Sequence, residues 1–484
     1  MSGTGEWLEQ PRTRWIVLSL IVVFFAITNV PWTLDDYDQA KQAYTSFEMV
    51  GQGHWLYEHT PNESVATKPP LVGWISAALF EVTRWWEGAW RIPSFVAALA
   101  LLWLIAREAN AAYGAAGGLI ALSAFGLNLL APRLATLVRT DMPLALVTFL
   151  IGGQIWQKIH RAKPWTPRDR AIAFLLLTSA MLIKGPIIYA FILPGLIVYQ
   201  IRRRKSGAPS GWSGWWPWLL SLAIFLAWAI GGIVRQAGFY ESVVIREFAG
   251  RFTETIHKPQ PIYFYLPHLL HKFAPWSVLL IAFAIAFWRR RDDRWRLQPA
   301  TLWLVCWSVG GLILMSVIPS KRVDRIFPLV PPLCLLLGAQ VAAALRIEPW
   351  RGKLRPWLAA ALIFAGIFTG GYVAWKIGQG YHTQSAALVQ FSRQVRGKAE
   401  QHHWRYAVVG GREEGMLLYL RCDHFLAPDD AVRQWNAGRL DALVVRDQPA
   451  RPWLTLLSGA QLQFVSEKSA DVPQYSLFVR KPAL

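Results

Sequence analysis

Residues 171–205 read AIAFLLLTSAMLIKGPIIYAFILPGLIVYQIRRRK. Two apolar runs meet at Lys184-Gly185-Pro186, and the second stops at Arg202-Arg203-Arg204-Lys205. Each run approaches the ~20 helical residues that cross a bilayer core of ~30 Å. A lysine buried between such runs costs about 2.5–3.5 kcal/mol on insertion scales, so Lys184 calls for an acidic partner or an anionic ligand. The same pattern fills the chain. Of 484 residues, 54% are hydrophobic and 17% charged, with 27 Trp and 24 Phe; soluble proteins carry about 25% charged residues. That excludes a soluble multidomain protein, a disordered or fibrous chain and a disulfide scaffold. Cys306 and Cys334 fall in apolar runs and Cys422 stands alone, so no intradomain disulfide is expected.

The net charge of +20 has a location. Residues 158–170 carry net +4, 202–205 net +4, 289–296 net +3 and 346–355 net +3. These short loops between apolar runs hold most of the excess, which is the positive-inside signature and not a nucleic-acid footprint. Apolar spans are expected near 15–34, 92–107, 115–138, 142–158, 170–185, 187–202, 217–235, 275–289, 300–318, 326–345 and 356–376. The first is read as a retained anchor, not a cleaved signal peptide. If the basic loops and Arg12/Arg14 are cytoplasmic, eleven crossings alternate consistently. The stretch 69–85 would make twelve and reverse every later loop, so it is read as a helix in the outer interface. This puts 35–91, 139–141, 184–186, 236–274, 319–325 and the tail from about 378 on the outer side. The tail alternates strand and helix patterns (strands at 405–411, 443–446 and 475–480, a helix near 413–421), as a small α/β domain does. The fold class is therefore a polytopic α-helical membrane protein with a small C-terminal α/β domain: 1–377 transmembrane, 378–484 outside.

The outer segments carry the ionisable residues. Asp35-Asp36-Tyr37-Asp38 opens the first loop; it is either a solvated acidic helix start or a general base or cation site at a cavity mouth. A helix lying on the surface is expected to follow through Glu48 and Met49. Lys68-Pro69-Pro70 is either a snorkelling lysine at a helix start or a phosphate ligand. Arg139-Thr140-Asp141 is either a local ion pair or part of a site. Ser320-Lys321-Arg322 is a further basic turn. Glu247, Arg251, His257, Tyr263 and Tyr265 lie on the long loop. A lone His257 is weak evidence for metal, and no clustered Cys/His spacing offers a zinc site. Separated cations around an acid suit a reaction at a lipid-linked phosphate: the carboxylate takes a proton from a hydroxyl, and the cations neutralise the leaving phosphate.

The order of these motifs resembles the membrane glycosyltransferases of the protein O-mannosyltransferase superfamily, of GT-C fold, in the branch of the 4-amino-4-deoxy-L-arabinose lipid A transferases. That family's Asp-Glu pair, its E-M-x-x-x-G-x-W segment and its Glu-Lys-Pro turn look like Asp38-Gln39, Glu48-Met49 through Gly53 and Trp55, and Thr67-Lys68-Pro69. Its second Asp looks like Asp141 and its Thr-Lys-Gly turn like Ile183-Lys184-Gly185. Its long-loop motif looks like Glu247, Arg251-Phe252, His257, Pro261 and Tyr263/Tyr265. Its last run looks like Ser316, Lys321, Pro328 and Pro332-Leu333. The match covers residues 15–345.

The resemblance implies Asp38 as catalytic base and Asp141 as a second catalytic carboxylate. It implies Lys68, Lys184, Arg251 and Lys321 as ligands of a donor phosphate. Asp35, Asp36, Glu247, His257, Tyr263 and Tyr265 are additional acidic or acceptor-side candidates. Gln39 and Thr67 replace expected glutamates, so no cofactor is assigned and a divalent metal stays open. The implied activity is inverting transfer of a sugar from a polyprenyl phosphate to a hydroxyl of lipid A, a glycan or a protein, at the periplasmic face of a bacterial inner membrane. A flippase for lipid-linked anions and a glycan ligase are the alternatives.

Overall fold

The computed structural model describes all residues except 1–5, 35–36, 62–64, 205–206, 252–258, 291–297, 383–384, 411–413, 447–451, 468–473 and 482–484. Its helices, in chain order, are α1 (Pro11–Ile27), α2 (Tyr37–Gln52), α3 (Leu71–Thr83), α4 (Ile92–Gly126), α5 (Ala131–Ala135), α6 (Asp141–His160), α7 (Pro167–Lys184), α8 (Ile187–Arg204), α9 (Trp216–Arg235), α10 (Tyr265–Lys272), α11 (Trp276–Arg290), α12 (Pro299–Val317), α13 (Val330–Leu345), α14 (Glu348–His382), α15 (Ser385–His402), α16 (Glu414–Leu420), α17 (Pro428–Asn436) and α18 (Trp453–Leu456). The chain forms two compact units.

The first unit, Met1–Thr28, Thr67–Val72 and Ile92–Ala374, is helical. Among the described residues, five helices are long and apolar enough to cross a bilayer, or six if α10 and α11, bent by 106°, form one span. The expected span 115–138 ends early, at Gly126. The reason is local: the Asn128 carboxamide oxygen accepts from the Leu130 and Ala131 amides at 2.8 and 2.9 Å, and Pro132 starts α5. Helices pack closely where small residues face each other. A methyl group on Gly195 of α8 would sit 2.5 Å from the Cys306 carbonyl of α12, and one on Gly310 would sit 2.5 Å from the Gly195 nitrogen. Trp303 and Trp307 of α12 are fully buried, and the Trp303 indole donates to the Gly152 carbonyl at 3.0 Å.

The second unit comprises Asn29–Ala66, Gly73–Arg91 and Trp375–Leu484. The stretch expected as an interfacial helix is α3, thirteen residues long. At 1.5 Å per residue it reaches only about 20 Å, short of a ~30 Å bilayer core. Helix α2 corrects an expectation. It does not lie on a surface: Gln39, Ala40 and residues 42–49 are all buried. The Tyr44 hydroxyl donates to the Asp423 carbonyl, and Phe47 packs on Phe80 and Trp86 with ring centroids 5.8 and 5.2 Å apart. Alanines, serine and threonine between these anchors let neighbouring chain approach, so a helix of polar appearance is enclosed.

The tail of this unit carries strands β1 (Tyr406–Val409), β2 (Phe425–Leu426), β3 (Ala442–Arg446), β4 (Ala460–Val465) and β5 (Tyr475–Arg480) in the order β2-β1-β3-β5-β4. The first three are parallel; β5 runs antiparallel to β3 and to β4. Strands β1, β3 and β5 and helix α16 stand where the sequence places them. Val409, Trp435, Leu443, Val445, Trp453 and Phe478 form the core.

Candidate active site

Helix ends bring the first unit's ionisable residues together. Asp141 opens α6 and Lys184 closes α7, the ends at which the helix dipole favours an anion and a cation respectively. The Lys184 ammonium donates to the Asp141 carboxylate, both side chains being 9% exposed. The partner that the sequence demanded for Lys184 is therefore Asp141, 43 residues away. Arg139 and Lys68 lie within electrostatic reach of Asp141, and Arg325 and Lys68 of Lys184. A second carboxylate, Asp324, takes Arg133 at 3.2 Å and Arg139 at 3.1 Å. Arg325 is held by the Ser320 carbonyl and hydroxyl at 2.7 and 3.1 Å.

Two carboxylates thus stand among five cations, and the excess charge is positive. The basic turns expected to act alike are not equivalent. Lys184 is bound to Asp141 and Arg139 to Asp324. Lys321 donates to the Gln260 carbonyl at 2.9 Å, and burial holds its ammonium below the usual lysine range. Half-buried Lys68 has no ion-pair partner among the described residues. The sequence did not single out Arg133, Asp324 or Arg325. The one signal was an acid set between two arginines in Arg322-Val323-Asp324-Arg325.

On the long loop, residues 240–248 form a π-helix containing Glu247, and Arg251 ends a short 3₁₀ turn. Tyr265 is fully buried at the start of α10, whereas Tyr263 is 63% exposed. His257, Asp35 and Asp36 lie outside the described residues.

In the second unit Asp38 lies in the first turn of α2 and is half-buried. Arg91 fixes this helix start, donating to the Gln39 carboxamide at 3.2 Å and to the Thr33 carbonyl at 2.9 Å. At the other end of α2 a group appears that the spacing did not reveal. The chain reverses at Gly53, whose φ of +81° suits glycine. His54 returns over Glu48 and its Nδ1 hydrogen-bonds the carboxylate. An antiparallel bridge between His59 and Val65 sets His59 beside them, its amide donating to Glu48 Oε2 at 3.3 Å. Burial raises the Glu48 carboxyl above its usual range, and the His54 and His59 bonds oppose that shift.

No family model matches the chain. Among curated proteins it is 28% identical over 361 residues to undecaprenyl phosphate-alpha-4-amino-4-deoxy-L-arabinose arabinosyl transferase 1 of Sodalis glossinidius, covering 70% of this chain and 59% of that one. It is 26% identical over 434 residues to the transferase of that name from Pectobacterium atrosepticum, covering 81% of this chain and 73% of that one. The chain therefore spans less than two thirds of the length of the Sodalis relative. Among solved structures, ArnT from Cupriavidus metallidurans bound to undecaprenyl phosphate superposes with a TM-score of 0.70 at 18% identity, over 96% of this chain and 97% of that one. The chain shares the fold of that structure. The same protein in the apo state gives a TM-score of 0.65. Within this fold the Asp141–Lys184 pair ties two helices whose ends meet at the cationic cluster, and Asp324 ties in a third segment. The carboxylates neutralise only part of that charge.

Proposed function

We propose that the chain is an inverting glycosyltransferase moving a sugar from a polyprenyl-phosphate donor to an acceptor hydroxyl at the periplasmic face of a bacterial inner membrane. It crosses the membrane eleven times, with residues 1–377 as the transmembrane catalytic domain and 378–484 as a periplasmic α/β domain. The observation that carries the reading is the excess positive charge around Asp141, with Lys68 unpaired among the described residues, on an ArnT-like fold. A phosphate there gains charge-assisted hydrogen bonds worth about 1.5–3 kcal/mol each.

Asp38 takes the acceptor hydroxyl's proton, and the hydroxyl oxygen bonds to the anomeric carbon. The bond from that carbon to the phosphate oxygen breaks, and the lipid phosphate leaves as an anion against Lys68. Lys184 and Arg139 hold the field around it, each oriented by its carboxylate. Arg251 and Lys321 contribute further positive charge to the phosphate. One displacement inverts the anomeric centre. An outward-facing base suits a lipid-linked donor, since nucleotide sugars stay in the cytosol. The acceptor is lipid A, a glycan or a protein.

The test is reconstitution in proteoliposomes with an undecaprenyl-phosphate-linked aminopentose and lipid A. The expected result is one free polyprenyl phosphate per sugar transferred, with inverted configuration. Sugar crossing the bilayer with its lipid–phosphate bond intact would identify a flippase instead. Transfer of a preassembled oligosaccharide in place of a single sugar would identify a ligase.

A further inference from the structure

Glu48, His54 and His59 present ligand atoms that all lie within 4.8 Å of one another. The Glu48 side chain is 1% exposed. The ring centroids of His54 and His59 are 4.4 Å apart. His59 Nδ1 is buried, has no hydrogen-bond partner among the described residues, and lies 3.9 Å from the Glu48 carboxylate. A plain His–Glu hydrogen bond accounts for His54 alone. It leaves a second imidazole nitrogen, stripped of water, aimed at the same carboxylate.

From this we infer that Glu48, His54 and His59 form a divalent-metal site for a borderline-soft cation of the zinc type. Two imidazole nitrogens and a carboxylate are a zinc donor set, bound at about 2.0–2.2 Å. A tetrahedral ion holds such ligands about 3.3 Å apart, so the three groups need only small shifts to close on it. The fourth position is left for water. Glu48 is then anchored by a cation at the end of the helix that begins with Asp38, and the Gly53 reversal is locked. Metal here stiffens the first loop whether or not a sugar is transferred.

The experiment uses the full-length protein in detergent, stripped with a chelator and titrated with zinc chloride against a chromophoric competitor. One tightly bound zinc per chain is expected, and cobalt in its place should give the intense visible bands of a four-coordinate site. His54→Gln is the deciding variant, since that side chain is 45% exposed and glutamine keeps a polar group in its place. It should weaken zinc binding more than ~10-fold and abolish the cobalt bands. His382→Gln, at the end of α14, should change neither. Stoichiometric zinc binding retained at unaltered affinity in His54→Gln, or no stoichiometric binding by the unaltered protein, overturns the site. Neither readout depends on glycosyl transfer, so failure here leaves the proposed activity standing, and failure of that activity leaves this site standing.

Discussion

An Asp38→Asn protein is expected to fold, to bind undecaprenyl phosphate like the unaltered protein, and to turn over about 10²–10⁴-fold more slowly. Asparagine keeps the shape and the helix-start position but cannot accept the hydroxyl's proton. The loss should fall on kcat, because the base acts in the transition state and contributes little to holding the donor. The helix start itself should survive, since Arg91 still holds it through the Gln39 carboxamide and the Thr33 carbonyl. Initial rates of sugar transfer at saturating donor, with lipid binding measured separately, decide the matter. Turnover near the unaltered value would take the base away from Asp38 and turn attention to Asp35 and Asp36.

The second large effect concerns the buried pair. Lys184→Met leaves the Asp141 carboxylate, 9% exposed, without its ammonium. Breaking one partner of a buried pair costs about 3–5 kcal/mol, whereas replacing both with apolar side chains is often neutral. Lys184→Met should therefore unfold at a markedly lower temperature in detergent, and Lys184→Met with Asp141→Leu should recover most of the loss. Transfer should not recover, because the phosphate field stays weakened. A single variant melting with the unaltered protein would show that the pair is solvated. A double variant with restored transfer would show that neither group serves the reaction.

The two effects rest on residues of different legibility. Lys184 announced itself, because an ionisable group inside an apolar run is costly enough to require a partner. Which partner was not legible, as Asp141 lies 43 residues away and only the meeting of two helix ends joins them. Asp324 was harder still: it bonds Arg139 across 185 residues, and no local pattern encodes that. The apolar helices of the first unit, helix α16 and strands β1, β3 and β5 followed from hydrophobic period and from Gly and Pro punctuation. Strand β4 did not, because most of its side chains face solvent and it belongs to the sheet only through β5. Helix α2 was misread because its small polar residues look solvated, while burial is set by the aromatic groups packed on it. Glu48, His54 and His59 lacked any familiar metal spacing, since the reversal at Gly53 and the bridge at His59 bring them together after folding.

The proposed reaction requires Asp38 and Lys68 to meet one substrate outside the cytoplasm. Paired Asp38→Cys and Lys68→Cys substitutions test this, in a chain whose Cys306, Cys334 and Cys422 are replaced by alanine. A short, membrane-impermeant thiol cross-linker is added to right-side-out vesicles, and the intramolecular product is read by mass spectrometry. The expected result is a 38–68 cross-link that forms from the outside and is suppressed by undecaprenyl phosphate. Labelling of either position only from the cytoplasmic side, or two accessible thiols that never join, would contradict the proposed chemistry.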